Sequence, residues 1–281
     1  MMSEPLAGPG LAGAGHWEDP MDGVAAGAKD DGGGRLIIGS WNMSGWLAAK
    51  ARTVFGDIPV SVLALQETHL AKIPLGWAHG TAWDVGWHLL HGHPVPAVVD
   101  VHGKSCGVGF ALRRGLAAGA ALPVGSAWRW LHHIGRLHGI RLPPRAGLPR
   151  GLLLLSVYAP LQTRQQKVER AKFEAALLEV THGLNLQVPT LLLGDFNGST
   201  LPGRDFHSSS RRDACPLLTR LLGPGGAWVD VHTHLLPEPL PWTFQSLDRN
   251  GKLSASRIDL VVANHCSHGV GSGCTGADGR P

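Results

Sequence analysis

Several features that define common protein classes are scarce in this chain of 281 residues. Only four cysteines occur, without the paired spacing of a zinc site, and a chain of this length needs no disulfide bonds to fold. No apolar run approaches the roughly 20 residues of a membrane-spanning helix, and no secretory signal or Gly-rich dinucleotide loop is present. These absences predict an intracellular protein, in the nucleus or the cytoplasm, that enters no membrane and binds no dinucleotide cofactor.

Strong net charge is also lacking, because the formal charge is only +4 and the sequence pI is about 9.1. A mildly basic chain is compatible with a polyanionic partner such as DNA, but does not require one. Seven arginines in the middle of the chain are candidates for a phosphate-binding track: Arg113, Arg114, Arg129, Arg136, Arg141, Arg145 and Arg150. A solvated face in an arginine-biased chain is the interpretation we favour for most of them.

Glycine, alanine and proline dominate the first 34 residues, which cannot bury enough apolar surface to fold. We therefore predict a disordered leader over residues 1–34 and one folded domain over residues 35–264. Residues 265–281 are again Gly-rich, and we predict an irregular tail there, in which a last strand is truncated.

Inside the predicted domain, short apolar runs alternate with amphipathic segments, which is typical of an α/β fold whose sheet is covered on both faces. Strands are predicted over residues 36–42, 60–67, 107–112, 136–142, 152–158, 190–193, 227–231 and 256–262. Helices are predicted over residues 48–55, 164–182 and 215–222. Outside the strands predicted above, residues 71–103 and 113–149 show no clear hydrophobic periodicity. We therefore predict loops there, with one short strand within residues 71–103.

The run from Pro189 to Asn197 is the strongest candidate for a functional segment. Its apolar residues predict a buried strand, which Gly194 breaks before Asp195 and Asn197. In an extended chain, residues two positions apart point to the same side, so both polar side chains would face one site. An ordinary turn between a strand and a helix explains these residue types equally well.

Other predicted strands end in polar residues of the same kind. Asn42, Glu67 and Tyr158, the only tyrosine, each end a strand, and Asp259 begins one. Carboxylate and amide oxygens are ligands that Mg²⁺ prefers, with waters and substrate phosphate oxygens completing its octahedron. Such a group can orient water and donate hydrogen bonds to a phosphate in its transition state. The sequence therefore predicts phosphate chemistry with Mg²⁺, for which Mn²⁺ can substitute.

Histidines offer a second kind of metal site, a transition-metal site. The candidate sets are His88, His91, His93 and His102, or His232 with His234. No complete ligand set has helical or hairpin spacing, so we interpret these residues as loop histidines.

Five short motifs occur in one order along the chain: Ser40-Trp41-Asn42, Leu65-Gln66-Glu67, Val157-Tyr158-Ala159-Pro160, Gly194-Asp195-Phe196-Asn197 and Ser256-Arg257-Ile258-Asp259. In this order they resemble the endonuclease/exonuclease/phosphatase superfamily. Further motifs are most similar to the endonuclease domains of non-LTR retrotransposons, which are kin of apurinic/apyrimidinic endonucleases and deoxyribonuclease I. These are Gln66-Glu67-Thr68-His69, the arginine-bearing helix after Pro160, and Trp242-Thr243-Phe244.

The resemblance implies a four-layer α/β sandwich of the deoxyribonuclease I type, in which two packed mixed β-sheets are flanked by helices. It implies a Mg²⁺-dependent phosphodiester hydrolase that nicks DNA and contacts its phosphate backbone. Glu67 would hold the metal with help from Asn42, and Asp195 would orient or deprotonate the attacking water. Asn197 and Tyr158 would contact the scissile phosphate.

The terminal Ser-Asp-His motif of the family is where this sequence departs. Asp259 would support the histidine of that motif, yet the nearest stretch is Ala277-Asp278-Gly279-Arg280-Pro281, with glycine in the place of histidine. Loss of a general acid–base group lowers a rate by about 10²–10⁴-fold. One alternative is therefore an inactive remnant that binds nucleic acid or protein. A second alternative within the same superfamily is a phosphatase acting on inositol lipids or small phosphates.

Three more residues are candidates for the site implied by the resemblance. Asp278 is a further metal ligand if its motif aligns with Ser-Asp-His. Trp242 and Arg257 are candidates for substrate contact, and stacking of Trp242 on a base is as compatible with the sequence as packing under a loop.

Overall fold

The computed structural model describes residues 35–94, 106–185, 187–199, 206–207, 214–235, 244–247, 253–256 and 259–264. The predicted leader (1–34) and tail (265–281) lie outside these residues. The helices are α1 (Ala48–Asp57), α2 (Lys72–Asp84), α3 (Gly125–His133), α4 (Lys167–Gly183), α5 (Pro216–Leu222) and α6 (Val231–Leu235). Among the residues described, no helix is both long and apolar enough to cross a membrane.

The strands form three sheets. They are β1 (Ile38–Asn42), β2 (Val62–Gln66), β3 (Trp87–His91), β4 (Gly109–Arg113), β5 (Gly119–Ala120), β6 (Leu137–Leu142), β7 (Leu152–Tyr158), β8 (Thr190–Asp195), β9 (Phe206–His207), β10 (Trp228–Asp230), β11 (Phe244–Leu247), β12 (Leu253–Ser256) and β13 (Asp259–Asn264). One sheet has the order β1-β2-β4-β3, and a second has the order β10-β13-β8-β7-β6-β5. A small third sheet has the order β11-β12-β9.

Three apolar layers hold the two large sheets and their helices together. Val62 and Ala64 of β2 pack in the layer between the sheets with Leu154 of β7. Leu63 and Leu65, on the opposite face of β2, belong to the layer beneath α1 and α2. The other face of the second sheet packs on α3, α4 and α5. Because successive side chains of a strand alternate between its faces, one apolar run serves both layers. The predicted four-layer sandwich is confirmed.

Strand direction brings the predicted site residues to one edge. Asn42 ends β1 and Glu67 follows β2, and these two strands are parallel. Tyr158 ends β7 and Asp195 ends β8, and these strands are also parallel. Since β13 runs antiparallel to β8, Asp259 at its start pairs with Asp195.

A buried polar network joins the two sheets just beneath this edge. Gln66 Nε2 donates a hydrogen bond to Ser156 Oγ at 3.0 Å, and Ser156 Oγ donates to the carbonyl of Leu65 at 2.9 Å. Ser40 Oγ donates to Gln66 Oε1 at 3.2 Å. Gln66 and Ser156 are fully buried, so breaking one of these bonds would leave a buried polar group without a partner. The network therefore fixes the position of one sheet against the other where the polar strand ends meet.

Gly194 allows β8 to run close to β7. Its φ is +148°, and a Cβ atom there would collide with the backbone of Val157, lying 2.9 Å from its carbonyl carbon. Glycine is therefore required for this close approach. The sequence-based strand end at residue 193 is wrong, because β8 continues through Gly194 to Asp195.

Two helices lie in stretches that we predicted as loops. Gly76 and Gly80 lower the helix propensity of α2 and hide its pattern, yet Ala78 and Ala82 pack beneath the first sheet against Trp87. Helix α3 begins at a glycine, but its apolar face is likewise stabilised by packing, on the second sheet. Tertiary packing supplies the stability that local propensity does not predict.

Several polar residues also lie elsewhere than predicted. His88 and His91 are on strand β3 rather than in loops. Arg113 is not on a solvated face, since its Nη2 donates to the carbonyl of Ile58 at 2.8 Å. Arg136 is only 7% exposed and pairs with a glutamate of α4 at 2.9 Å.

Candidate active site

The amide of Asn42 joins the two sheets at the edge where the strand ends meet. Its Nδ2 donates to Glu67 Oε1 at 2.9 Å and to Asp195 Oδ2 at 3.0 Å. The backbone N–H of Ser44 donates to Asn42 Oδ1 at 3.0 Å, which fixes the amide orientation because an N–H can only donate. Two carboxylates from different sheets therefore converge on a single hydrogen-bond donor.

Glu67 has neighbours that favour its ionised form. His69 Nε2 lies 3.6 Å from Glu67 Oε2, and Asn42 Nδ2 donates to Glu67 Oε1 at 2.9 Å. Burial acts to raise the pKa of Glu67, but the interactions with His69, Asn42 and Tyr158 outweigh it, so this pKa lies below its ordinary value. Glu67 is therefore an anion at neutral pH.

Asp195 is 2% exposed and has the opposite electrostatic environment. Burial first, and then the negative charge of Asp259, raise the pKa of Asp195 to about 7, and the charge of Glu67 acts in the same direction. Hydrogen bonds from the backbone N–H of Asn197 (2.8 Å, to Oδ1) and from Asn42 lower that pKa without reversing the shift. A carboxylate whose pKa is near neutrality is suited to accept a proton at physiological pH.

Tyr158 completes this charged group from the second sheet. Burial, and then the charge of Glu67, raise the pKa of the Tyr158 hydroxyl above its ordinary value. The guanidinium of Arg136, 4.9 Å from the centre of the tyrosine ring, acts to lower that pKa by a smaller amount. The hydroxyl therefore stays protonated and can donate a hydrogen bond.

Asn197 reaches the site by a turn and not by strand alternation. Its φ is +44°, and β8 has already ended at Asp195. Its Nδ2 donates to the carbonyl of Ala159 at 2.8 Å, so the side chain joins the segment after β8 to the segment after β7. The interpretation of this stretch as a turn therefore describes the backbone at Asn197. Asn197 nevertheless lies close to Asp195 and Tyr158, as the strand interpretation predicted.

Backbone strain is concentrated at this edge. In the part of the chain that the structure describes, the non-glycine residues with positive φ are Ser44 (+49°), Glu67 (+49°), His69 (+54°) and Asn197 (+44°). Such conformations cost on the order of 1–3 kcal/mol each and persist where the surrounding structure imposes them. Their clustering around one set of carboxylates marks this edge as the candidate active site.

The oxygen donors at this edge fit a hard divalent cation. Glu67 and Asp195 supply carboxylate oxygens that face one point, where Asn42 Nδ2 donates to both. Asn42 would act as a ligand by turning toward the ion its amide oxygen, which here accepts from Ser44. This is the donor chemistry that Mg²⁺ or Mn²⁺ accepts from proteins, with water and phosphate oxygens as further ligands. Within the described ranges, no three His, Cys, Asp or Glu side chains are grouped as a metal site.

Stability should depend on pH through Asp195. Its pKa of about 7 lies above the ordinary value of 3.8, so between these values the folded chain holds a proton that the unfolded chain releases. The contribution of Asp195 to folding stability is therefore expected to fall as pH rises through this window. Buried His91 and His138 act in the opposite direction, because burial lowers the pKa of each below its ordinary value. We therefore look for the effect of Asp195 in the difference between the urea midpoints of the parent and a variant, measured in EDTA at about pH 5 and about pH 8.

The matched variant is Asp195→Asn, whose urea midpoint relative to that of the parent should rise between about pH 5 and about pH 8, because both proteins share the histidines. An equal pH dependence in both proteins would show that Asp195 does not carry it. Glu67 does not confuse the result, because its lowered pKa places its own effect at more acidic pH.

Sequence reasoning assigned no role to some residues that shape this edge. His69 stood in a motif that we quoted, but only its position beside Glu67 in the structure reveals its charge interaction. Arg136 was one of seven candidates for a phosphate track, and Arg170 lies on the arginine-bearing helix after Pro160, but only the structure shows that both contact the segments around Tyr158. Three predicted residues, Asp278, Trp242 and Arg257, lie outside the described residues.

Comparison with known proteins supports the family that the five sequence motifs resemble. The sequence profile described as the Endonuclease/Exonuclease/phosphatase family matches residues 39–280. Over 113 residues the chain is 32% identical to the Transposon TX1 uncharacterized 149 kDa protein of Xenopus laevis. That match covers 40% of this chain and 8% of the relative, so the chain spans only a small part of that protein's length.

Solved structures show the same fold. The catalytic domain of APE2 from Xenopus laevis is similar with a TM-score of 0.61 and 20% identity, over 82% of each chain. The 3′ phosphatase NExo from Neisseria, bound to a product DNA hairpin, is similar with a TM-score of 0.57 and 17% identity, over 82% of this chain and 87% of that one. At these identities the likeness establishes the fold alone.

Proposed function

Because this chain belongs to the endonuclease/exonuclease/phosphatase family, we propose that it is a metal-dependent endonuclease that nicks DNA. Membership of the family supports a hydrolase that acts on phosphodiester bonds. The metal, the DNA substrate and the nicking reaction are the proposal. The observation that carries it is the convergence of the Glu67 and Asp195 carboxylates on the amide of Asn42, where the two sheets meet.

Glu67 and Asn42 are the residues that would hold the metal. The lowered pKa of Glu67 keeps its carboxylate ionised, as a ligand of Mg²⁺ or Mn²⁺ requires. When bound, such an ion supplies a Lewis acid that stabilises the negative charge on a reacting phosphate. Asp278 is a further candidate ligand on the basis of sequence alone.

The other side chains would act on water and on the phosphate. Asp195 would accept a proton from the attacking water, a role for which a pKa near neutrality is suited. Tyr158, which stays protonated, and Asn197 would donate hydrogen bonds to the scissile phosphate. Asp259 pairs with Asp195 across the sheet, and we propose that its negative charge helps to hold the pKa of Asp195 near neutrality.

We favour DNA as the substrate, nicked as by the endonuclease of a non-LTR retrotransposon. The supporting observations are the net charge of +4, the similarity to a transposon protein and the similarity to a nuclease-type fold solved with DNA. An intracellular location, in the nucleus or the cytoplasm, is part of the proposal.

The glycine at position 279 is expected to limit the rate. The resemblance places a histidine there, and loss of a general acid–base group lowers a rate by about 10²–10⁴-fold. We therefore expect slow nicking of supercoiled plasmid with Mg²⁺ by the native chain, and faster nicking by Gly279→His. If both proteins nick at the same rate, this histidine is not needed here.

A substrate comparison tests the proposed function against its alternatives. Supercoiled plasmid, a soluble inositol phosphate and para-nitrophenyl phosphate are offered to the native chain with Mg²⁺ and with EDTA. Metal-dependent nicking of plasmid without phosphate release supports the endonuclease. Phosphate release without nicking would indicate a phosphatase, and DNA binding without either reaction would indicate an inactive remnant.

A further inference from the structure

Arg170 is a buried arginine that touches both segments carrying proposed catalytic groups. It lies on helix α4 and is 5% exposed. Its Nη1 donates to the carbonyl of Pro160 at 2.7 Å and to the carbonyl of Phe196 at 2.8 Å. One nitrogen atom therefore bridges two carbonyls that are far apart in sequence.

The two bridged carbonyls stand directly beside the candidate active site. Pro160 lies two residues after Tyr158, in the segment that follows β7. Phe196 stands between Asp195 and Asn197, in the segment that follows β8. The Asn197 side chain makes a second link between these same segments, through its 2.8 Å hydrogen bond to the carbonyl of Ala159. The guanidinium thus sets the separation across which this hydrogen bond forms.

The remaining nitrogens of Arg170 hold the guanidinium in one orientation. Its Nε donates to Glu174 Oε1 at 2.6 Å, one helical turn further along α4. Its Nη2 donates to Cys215 Sγ at 2.9 Å, at the start of α5. A planar group with donors in a fixed fork can satisfy all four acceptors together, whereas an ammonium group acts from a single point.

We propose that Arg170 is a positioning residue for the reaction at this site. By holding the Pro160 and Phe196 carbonyls together, it fixes the Asn197 amide next to Tyr158 and Asp195. The proposal rests on the proposed phosphodiester hydrolysis for its kinetic consequence. The structural consequence, the placement of the Asn197 side chain, is independent of any activity.

Three variants test this role. The quantity measured is the rate constant for a single turnover of DNA, with the enzyme at saturating concentration. Arg170→Gln removes the bridge and should lower the rate constant by about 10–100-fold, while the reaction still goes to completion. Arg170→Lys keeps a cation that can reach the carbonyls and should recover part of that loss. Glu174→Gln weakens the orientation of the guanidinium and should have a smaller effect in the same direction.

Two matched controls separate positioning from general stability. Leu177→Ala creates a cavity beneath the same helix but removes no hydrogen bond to either segment, so it should lower the melting temperature while the rate constant of the folded protein stays within about twofold. Arg52→Gln removes an exposed arginine of helix α1, which lies 3.9 Å from Asp84 and is not among the candidates for the phosphate-binding track. It should leave the rate constant unchanged.

A nuclear magnetic resonance measurement gives the activity-independent readout. The side-chain amide signal of Asn197, identified by its absence in Asn197→Asp, should move in Arg170→Gln and stay in place in both controls. A rate constant of Arg170→Gln equal to that of Leu177→Ala, or an Asn197 signal that does not move, would overturn the positioning role. If the native chain cleaves nothing, the proposed function fails, and the amide signal alone then decides whether Arg170 positions Asn197.

Discussion

Replacing Asp195 with asparagine is expected to lower the rate of metal-dependent DNA cleavage by about 10³-fold or more. The reason is that the carboxylate accepts the proton of the attacking water, and an amide cannot do so. The hydrogen bond of Asn42 to this position can persist, because the amide oxygen of the new residue is also an acceptor. DNA binding, measured by fluorescence anisotropy, should stay within about twofold, since it comes from phosphate contacts.

The control for this variant is Asp84→Asn at the end of helix α2. Asp84 is an exposed carboxylate, 3.9 Å from Arg52, and such exposed pairs contribute little. It should nick plasmid at the parental rate. Cleavage by Asp195→Asn at that same rate would remove Asp195 from the mechanism.

Glu67→Gln is expected to weaken metal binding by at least about tenfold and to lower cleavage by about 10²-fold or more. The substitution removes the negative charge that favours a hard cation but keeps the size of the side chain. Glutamine is preferable to alanine, because the Glu67 side chain is only 19% exposed and accepts a hydrogen bond from Asn42. Titration calorimetry with Mn²⁺ measures the affinity directly.

The control for this second variant is Glu179→Gln on the exposed side of helix α4. Its metal affinity and cleavage rate should equal those of the parent. Unchanged Mn²⁺ affinity in Glu67→Gln would mean that the metal is held elsewhere, whatever the effect on cleavage.

The strand ends of the site were predictable because two signals coincide there. An apolar run marks a strand buried on both faces, and a polar residue at its end marks the edge of a sheet. Asn42, Glu67, Tyr158 and Asp195 all follow this rule, and parallel pairing places them together. The convergence of Glu67 and Asp195 on one amide was not predictable, since it depends on how the two sheets pack.

Other features escaped prediction because they depend on contacts remote in sequence. Helix α2 contains two glycines, so packing beneath the first sheet stabilises it where propensity does not. Asn197 adopts a left-handed conformation that strand alternation cannot describe. The sequence marks the helix after Pro160 as arginine-bearing, but only the three-dimensional structure reveals the bonds of Arg170 to Pro160 and Phe196.

The most direct test of the central claim is nicking of supercoiled plasmid by the native chain with Mg²⁺, with EDTA, and with Mg²⁺ in the Asp195→Asn variant. The proposal predicts slow nicking that requires Mg²⁺ and is lost in the variant. Nicking that persists in EDTA or in Asp195→Asn would contradict it, because the cleavage would then not come from this site. No nicking by the native chain or by Gly279→His, with DNA binding intact, would equally contradict it.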